Sequence, residues 1–248
     1  WMAYAEQRRV HLRSLDDWQA VPRPVVELAA DVQDIALSED GRRLAVSDAG
    51  GANLGSVRYA LSRIGADPRL VRDADELGAP ERIILPGVGA AAPSMALLRA
   101  RGLDAALRDS DAPLLGVCVG MQLLFETSSE GDVDCLGLLK GRVSKLAGGP
   151  GLRVPHMGWN RLRKRIATNE NASPLLDGIE DGAYAYFVHS YAVLIDRDSD
   201  ACVLADSDHG QSFAAVVGKG KRFGAQFHPE RSSATGLRLL ENFMKLPA

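Results

Sequence analysis

Between residues 43 and 126 the chain alternates short apolar runs with helical patterns, and that rhythm limits the fold more than any other feature. "RLAVSD" (43–48) precedes "NLGSVRYALSRIG" (53–65). "RIILPG" (82–87) precedes "SMALLRARGLDAALRD" (94–109), and "APLLGV" (112–117) leads into "GMQLLFE" (120–126). Strands of this type, each followed by a helix, lie parallel and are covered by helices on both faces. The second half reads differently: "AYAYFVHSYAV" (183–193), "ACVLAD" (201–206), "SFAAVVG" (212–218) and "RFGAQFHPE" (222–230) are consecutive strands. The expected fold class is therefore α/β, an open, mostly parallel sheet with helices on both faces and an added antiparallel section. A final amphipathic helix over about 232–245, with Leu237, Leu240 and Phe243 on one side, closes it.

At 248 residues, 46% of them hydrophobic, the chain can bury one sizeable core or two small ones. A net charge of -3 gives no electrostatic reason to expect a nucleic-acid or anionic-membrane partner. The basic run Arg161, Arg163, Lys164, Arg165 reads as a solvated face. Charges at Glu6, Arg8 and Arg9 interrupt any early apolar stretch, so neither a signal peptide nor a membrane span is expected, and the cytoplasm is the default location. Cys118, Cys135 and Cys202 are irregularly spaced with no C-x-x-C pair, which argues against a disulfide framework and against a zinc site. No metal or organic cofactor is indicated.

In an open α/β sheet, ligands bind beyond the carboxyl ends of the strands. Cys118 lies there, within Gly116-Val117-Cys118-Val119-Gly120. The flanking glycines permit a strained, tightly packed turn that holds a nucleophile in the open. A helix N-terminus and a neighbouring imidazolium would both favour the thiolate over the thiol. Cys135 and Cys202 lack such a setting and read as small core residues.

A cysteine nucleophile needs a base, and the base an orienting group. His228-Pro229-Glu230 supplies both, with the stiff proline holding imidazole and carboxylate together. The third element is "LPGVGA" (85–90), where Gly87 and Gly89 end a strand and let backbone N–H groups turn toward an oxyanion. The N–H of Val119 would be the first donor, with Val88 and Gly89 contributing the second.

Taken in order, "PGVG", "GVCVGMQLLFE", "VPHMGWN", "YFVHSYAV" and "AQFHPERS" resemble the class I, triad-type glutamine amidotransferases. "PHMGWN" (155–160) and "FVHSY" (187–191) are similar to the glutaminase subunits of imidazole glycerol phosphate synthase, an enzyme of histidine biosynthesis. The resemblance implies that Cys118 attacks the side-chain amide of glutamine, His228 carries the proton to ammonia, and Glu230 holds His228. It also implies that Gly87, Gln122, Glu130 and the stretch His189-Ser190-Tyr191 serve the bound glutamine. Ammonia would pass to a cyclase subunit, a (β/α)₈ barrel. That barrel alone needs about 250 residues and must be a separate chain, forming a heterodimer. Within "PHMGWN", Met157 and Trp159 are candidate contacts, although residue type alone suits Trp159 equally to a core.

The chain departs from the family in having Ala49 and Val119 where an aromatic residue and a leucine are usual. Residues 1–43 form an extension of unknown role, and 44–248 the amidotransferase domain. Within "VQDIALSEDGRRLAVSD" (32–48) there is one β-propeller blade's worth of pattern, and no second copy follows to cover its face. Rival readings are an amidotransferase of another pathway, or a relative that binds without catalysing.

Overall fold

In the computed structural model the described residues are 54–247, apart from 88, 166–172 and 197–198, together with the backbone of four strands nearer the N-terminus. Two compact units separate, Trp1–Ile35 and Ala36–Ala248. In the first, β1 (Met2–Glu6), β2 (Arg9–Arg13) and β3 (Arg23–Glu27) form an antiparallel sheet in that order. Most of the blade-like stretch 32–48, and Ala49, lie outside the described residues.

The second unit begins with β4 (Leu44–Ser47), α1 (Leu54–Arg63), β5 (Arg69–Val71), α2 (Ala74–Leu77) and β6 (Arg82–Gly87). The pattern over 94–109 divides into α3 (Ala91–Ala100) and α4 (Leu103–Asp109). Gly102 sits between them at φ 66, a left-handed conformation that ends the first helix. β7 (Leu114–Cys118) runs into α5 (Val119–Gln122), a single turn where "GMQLLFE" had suggested a longer helix. After it the carbonyl of Gln122 accepts from Phe125 N–H in a turn, and those of Leu123, Leu124 and Phe125 accept from N–H groups of residues 136–139 rather than from a continuing helix.

Short strands follow: β8 (Thr127–Ser128), β9 (Val133–Asp134), β10 (Arg142–Lys145), β11 (His156–Arg161) and β12 (Arg163–Lys164). "AYAYFVHSYAV" breaks at Ser190 into β13 (Tyr184–His189), which pairs with β11, and β14 (Tyr191–Val193), which pairs with β10. β15 (Val203–Asp208), β16 (Ser212–Lys219), β17 (Arg222–Ala225) and α6 (Ser233–Lys245) complete the chain. The buried stripe of α6 is Gly236, Leu239, Leu240 and Phe243 at helical spacing, while Leu237 is only half-buried.

An eight-stranded sheet orders these as β12-β15-β16-β17-β7-β6-β4-β5, parallel from β17 to β5 and antiparallel from β12 to β17. This is the mostly parallel sheet with an antiparallel section that the sequence pattern implies. β6 and β7 are buried at every residue, as strands covered on both faces must be. The parallel pairing of β7 with β17 has a functional consequence: it sets Val117 opposite Ala225, so Cys118 and the segment leading to His228 emerge at the same end of the sheet.

Candidate active site

Cys118 ends β7 with φ 54, a strained value for a residue that carries a Cβ. Packing imposes it. A Cβ on Gly116 would run into the carbonyl of Gly120, and a Cβ on Gly120 into the carbonyl of Leu85 on β6. Gly87 is part of the same close approach, because a Cβ there would come within 2.6 Å of the Gly120 nitrogen. It is buried under the turn and does not line the cavity described below. The one-turn length of α5 reduces the help its dipole can give to a thiolate, which leaves the neighbouring imidazole as the main influence.

That imidazole belongs to His228. Its backbone N–H donates to Tyr186 O on β13 (3.0 Å) and its carbonyl accepts from Ser232 Oγ (2.7 Å), so its place is fixed from two sides. Nδ1 donates to Glu230 Oε1 at 2.9 Å, and the ring lines the same cavity as Cys118. Burial alone would push the imidazolium toward neutrality. The nearby Cys118 and the hydrogen-bonded Glu230 outweigh it and raise His228 to about 10, so the ring is cationic at neutral pH. Glu230 is almost wholly buried and its second oxygen, Oε2, has no hydrogen-bond partner, which makes His228 its charge partner.

Around this pair lies a cavity of about 360 Å³. Cys118, Val119, Gln122, Glu130, Gly89, His228 and Glu230 line it, and His189, Ser190 and Tyr191 form a further wall. The structure thus brings together most of the residues singled out in the sequence. Gly89 has φ 93, and Val88 lies outside the described residues. Glu130 Oε2 accepts from the N–H of Ala91 at the start of α3, two residues past Gly89, and so ties down the exit of the glycine loop. Gln122 Nε2 donates to Tyr191 O (2.7 Å) and to Gln226 Oε1 (3.0 Å), while its own Oε1 is buried and unpartnered.

The sequence reading missed three polar groups here. Gln226 is fully buried and its amide reaches the Cys118 sulfur (3.9 Å). Its one trace in the sequence is a lone glutamine in an apolar buried stretch just past β17, which does not tell a core amide from one aimed at a sulfur. His156 Nδ1 lies 3.0 Å from His189 Nε2, and Asn160 Nδ2 lies 3.2 Å from His156 Nε2. The carbonyl of Tyr191 can only accept, so His189 donates to it from Nδ1 (2.9 Å) and takes the His156 proton at Nε2. Burial pulls His156 down to about 4 and His189 to about 3, with the neighbouring histidines adding to the effect, so both rings are neutral. Arg231 also lines the cavity.

Cys135 and Cys202 stay buried elsewhere, and burial pushes both thiols up to about 11. In the basic run, Arg163 pairs with Asp206 (2.6 Å), Arg165 with Asp200 (2.8 Å), and Arg161 donates to the Tyr184 hydroxyl (2.9 Å). Trp159 is 53% exposed, so it belongs to the surface and not to the core.

A mostly parallel α/β sheet sets a strained cysteine turn beside a His-x-Glu segment at the ends of adjacent strands, an arrangement suited to thiol chemistry. Residues 45–246 match the family described as glutamine amidotransferase class-I, and the chain belongs to that family. It is a glutamine amidotransferase, an enzyme that releases ammonia from glutamine. Among relatives, "Imidazole glycerol phosphate synthase subunit HisH" of Xylella fastidiosa is 56% identical over 205 residues, covering 83% of this chain and 98% of that protein. The same subunit of Xanthomonas oryzae pv. oryzae is 56% identical over 203 residues, covering 82% and 97%. Solved structures share the fold. One described as a glutamine amidotransferase has a TM-score of 0.62 at 22% identity, covering 82% of this chain and 97% of that one. PurLQS from Thermotoga maritima gives 0.59 at 23% identity, covering 82% and 97%.

Proposed function

We propose that the chain is the glutaminase subunit of an imidazole glycerol phosphate synthase, with residues 44–248 as the amidotransferase domain and 1–43 as an extension. Cys118 Sγ attacks the side-chain carbonyl carbon of glutamine, and the oxyanion is met by backbone N–H groups of Val119 and of the Val88–Gly89 loop. The His228 imidazolium gives its proton to the amide nitrogen, which leaves as ammonia, and a glutamyl thioester remains. Water then loses a proton to His228, attacks the thioester, and releases glutamate with the thiol restored. Glu230 holds His228 in the required tautomer throughout. Gln122 and Glu130 offer acceptors to the amino-acid end of the substrate. The single observation that carries this reading is one cavity lined by Cys118, on its strained turn, and by His228, whose ring Glu230 holds through a 2.9 Å hydrogen bond.

Ammonia must reach an acceptor before it escapes into water, so a separate cyclase of (β/α)₈ form docks over the cavity in a cytoplasmic heterodimer. β11 supports this. Met157, Trp159 and Arg161 alternate outward along it, and Met157 and Trp159 are 64% and 53% exposed, with Tyr184 of β13 beside them at 49%. Apolar anchors of this kind favour burial against a partner. The test is glutamate release by the purified chain alone, with the cyclase, and with the cyclase plus its nucleotide ligand. Release is expected to be slow in the first case and to rise in the last. Full activity of the isolated chain, or no response to the cyclase, overturns the coupling.

A further inference from the structure

Gln226 carries an amide buried at the one point where it can touch both the residue that faces the substrate and the sulfur itself. The two ends of its side chain are told apart by their partners. Tyr191 O is a carbonyl and can only accept, so Gln122 must turn its nitrogen toward it, at 2.7 Å. The second hydrogen of that nitrogen then points to Gln226 Oε1 at 3.0 Å. With its oxygen engaged there, Gln226 directs Nε2 at Cys118 Sγ, 3.9 Å away. Reversing the Gln226 amide would set one NH₂ group against another. Tyr191 O is itself held, because His189 Nδ1 donates to it from the other side at 2.9 Å.

We propose that Gln226 is a catalytic residue of this site: its side-chain N–H donates to the Cys118 sulfur and stabilises the thiolate, in an orientation locked by Gln122 and the Tyr191 carbonyl. A neutral thiol is a weak acceptor and a thiolate a strong one, so the bond gains most of its strength when the nucleophile ionises. The proposal rests on the reading of Cys118 as the nucleophile. An amide that served only to satisfy Gln122 would leave the chemistry of the sulfur unchanged.

Two variants of the full-length chain separate these roles. Gln226→Glu keeps the shape and the acceptor that Gln122 needs, but its carboxylate has no hydrogen to give. Gln226→Met keeps the volume and adds no charge. The charged and titratable groups around the sulfur are His228 and Glu230 after β17, Arg231, Glu130 from the β8–β9 turn, and His189 from β13. Both variants leave them in place. Alkylation of Cys118 by iodoacetamide across a range of pH is read by mass spectrometry, with Cys135 and Cys202 as internal references. Losing one charge-assisted hydrogen bond weakens the thiolate relative to the thiol about tenfold, and the greater nucleophilicity of a more basic sulfur returns part of the loss, so alkylation below the midpoint of its pH profile slows about threefold. The rise of thiolate absorbance with pH moves upward in parallel. For glutamine, kcat falls about tenfold while KM stays within about twofold.

Wild-type alkylation by a folded Gln226→Met overturns the proposal. So does slowing in Gln226→Glu alone, which would be an effect of the added charge. Failure of both to fold also counts against it, as that would make the amide a packing requirement. Should the wild type not hydrolyse glutamine at all, the functional reading fails, while the alkylation comparison still decides the role of Gln226.

Discussion

Acidification should unfold this domain through its buried histidine pair. His156 and His189 are 5% and 6% exposed and share a hydrogen bond of 3.0 Å, so each is neutral in the folded chain. Burial, helped by the charge of His209 on both and of His228 on His189, lowers them to about 4 and about 3 from the ordinary 6.5. Once unfolded, both rings take up protons below about pH 6.5, so the unfolded state binds more protons there and stability falls as the pH falls. Their contribution is therefore fully present above about pH 6.5 and is lost progressively toward the folded values. At about pH 4.5 the pair together costs on the order of 5 kcal/mol, the size of the whole stability of a modest domain. His228 acts in the opposite direction. Raised to about 10, its contribution is complete below 6.5 and fades only as the pH climbs toward 10, so it cannot cause a loss in acid. Carboxylates lose stability in acid too, and a variant removes them from the comparison. In His156→Gln with His189→Gln the hydrogen-bonding groups remain but nothing titrates. Urea unfolding at about pH 8 and about pH 4.5 should show the wild type losing about 5 kcal/mol more than this double variant. Equal losses, within about 1 kcal/mol, would show that the pair does not carry the acid sensitivity and that the neutral relay is misassigned.

Cys118→Ala is expected to abolish glutamate release with the fold intact. Cys135→Ala and Cys202→Ala, whose thiols lie buried away from the cavity, should keep nearly wild-type kcat and lose about 1 kcal/mol of stability each. Substantial turnover by Cys118→Ala, measured as glutamate formed, would remove the thiol from the mechanism. Gly120→Ala sets a Cβ against the carbonyl of Leu85, and neither backbone can swing aside, so a loss of about 3 kcal/mol is expected. An unchanged thermal midpoint for that variant would mean that the turn beneath Cys118 is looser than its packing requires.

How far the chain can be read without coordinates depends on where the determining interaction lies. Strands β6 and β7 were legible because covering both faces of a parallel sheet demands continuous apolar runs, and "RIILPG" and "APLLGV" are such runs. The cysteine turn was legible for a similar reason: Gly116 and Gly120 flank it because no side chain fits between β7 and β6. Where the signal failed, a partner distant in sequence had decided the outcome. "GMQLLFE" has helical composition, yet the chain leaves the helix after Gln122, because the carbonyls of residues 123–126 are taken by N–H groups of residues 135–139. "AYAYFVHSYAV" reads as one strand, but its halves find different neighbours, β11 and β10, and Ser190 marks the change. That break turns the Tyr191 carbonyl toward Gln122 and His189 at once, a junction no local pattern announces. Gln226 and His156 escaped notice on the same ground. Each is a single polar residue in an apolar stretch, and the sequence alone offers no way to tell a satisfied core amide from one aimed at a sulfur. Their partners stand 104 and 33 residues away. In a site built from the ends of several strands, then, the group that reacts is announced by the strained turn it occupies. The groups that hold it become visible only when the strands are laid side by side.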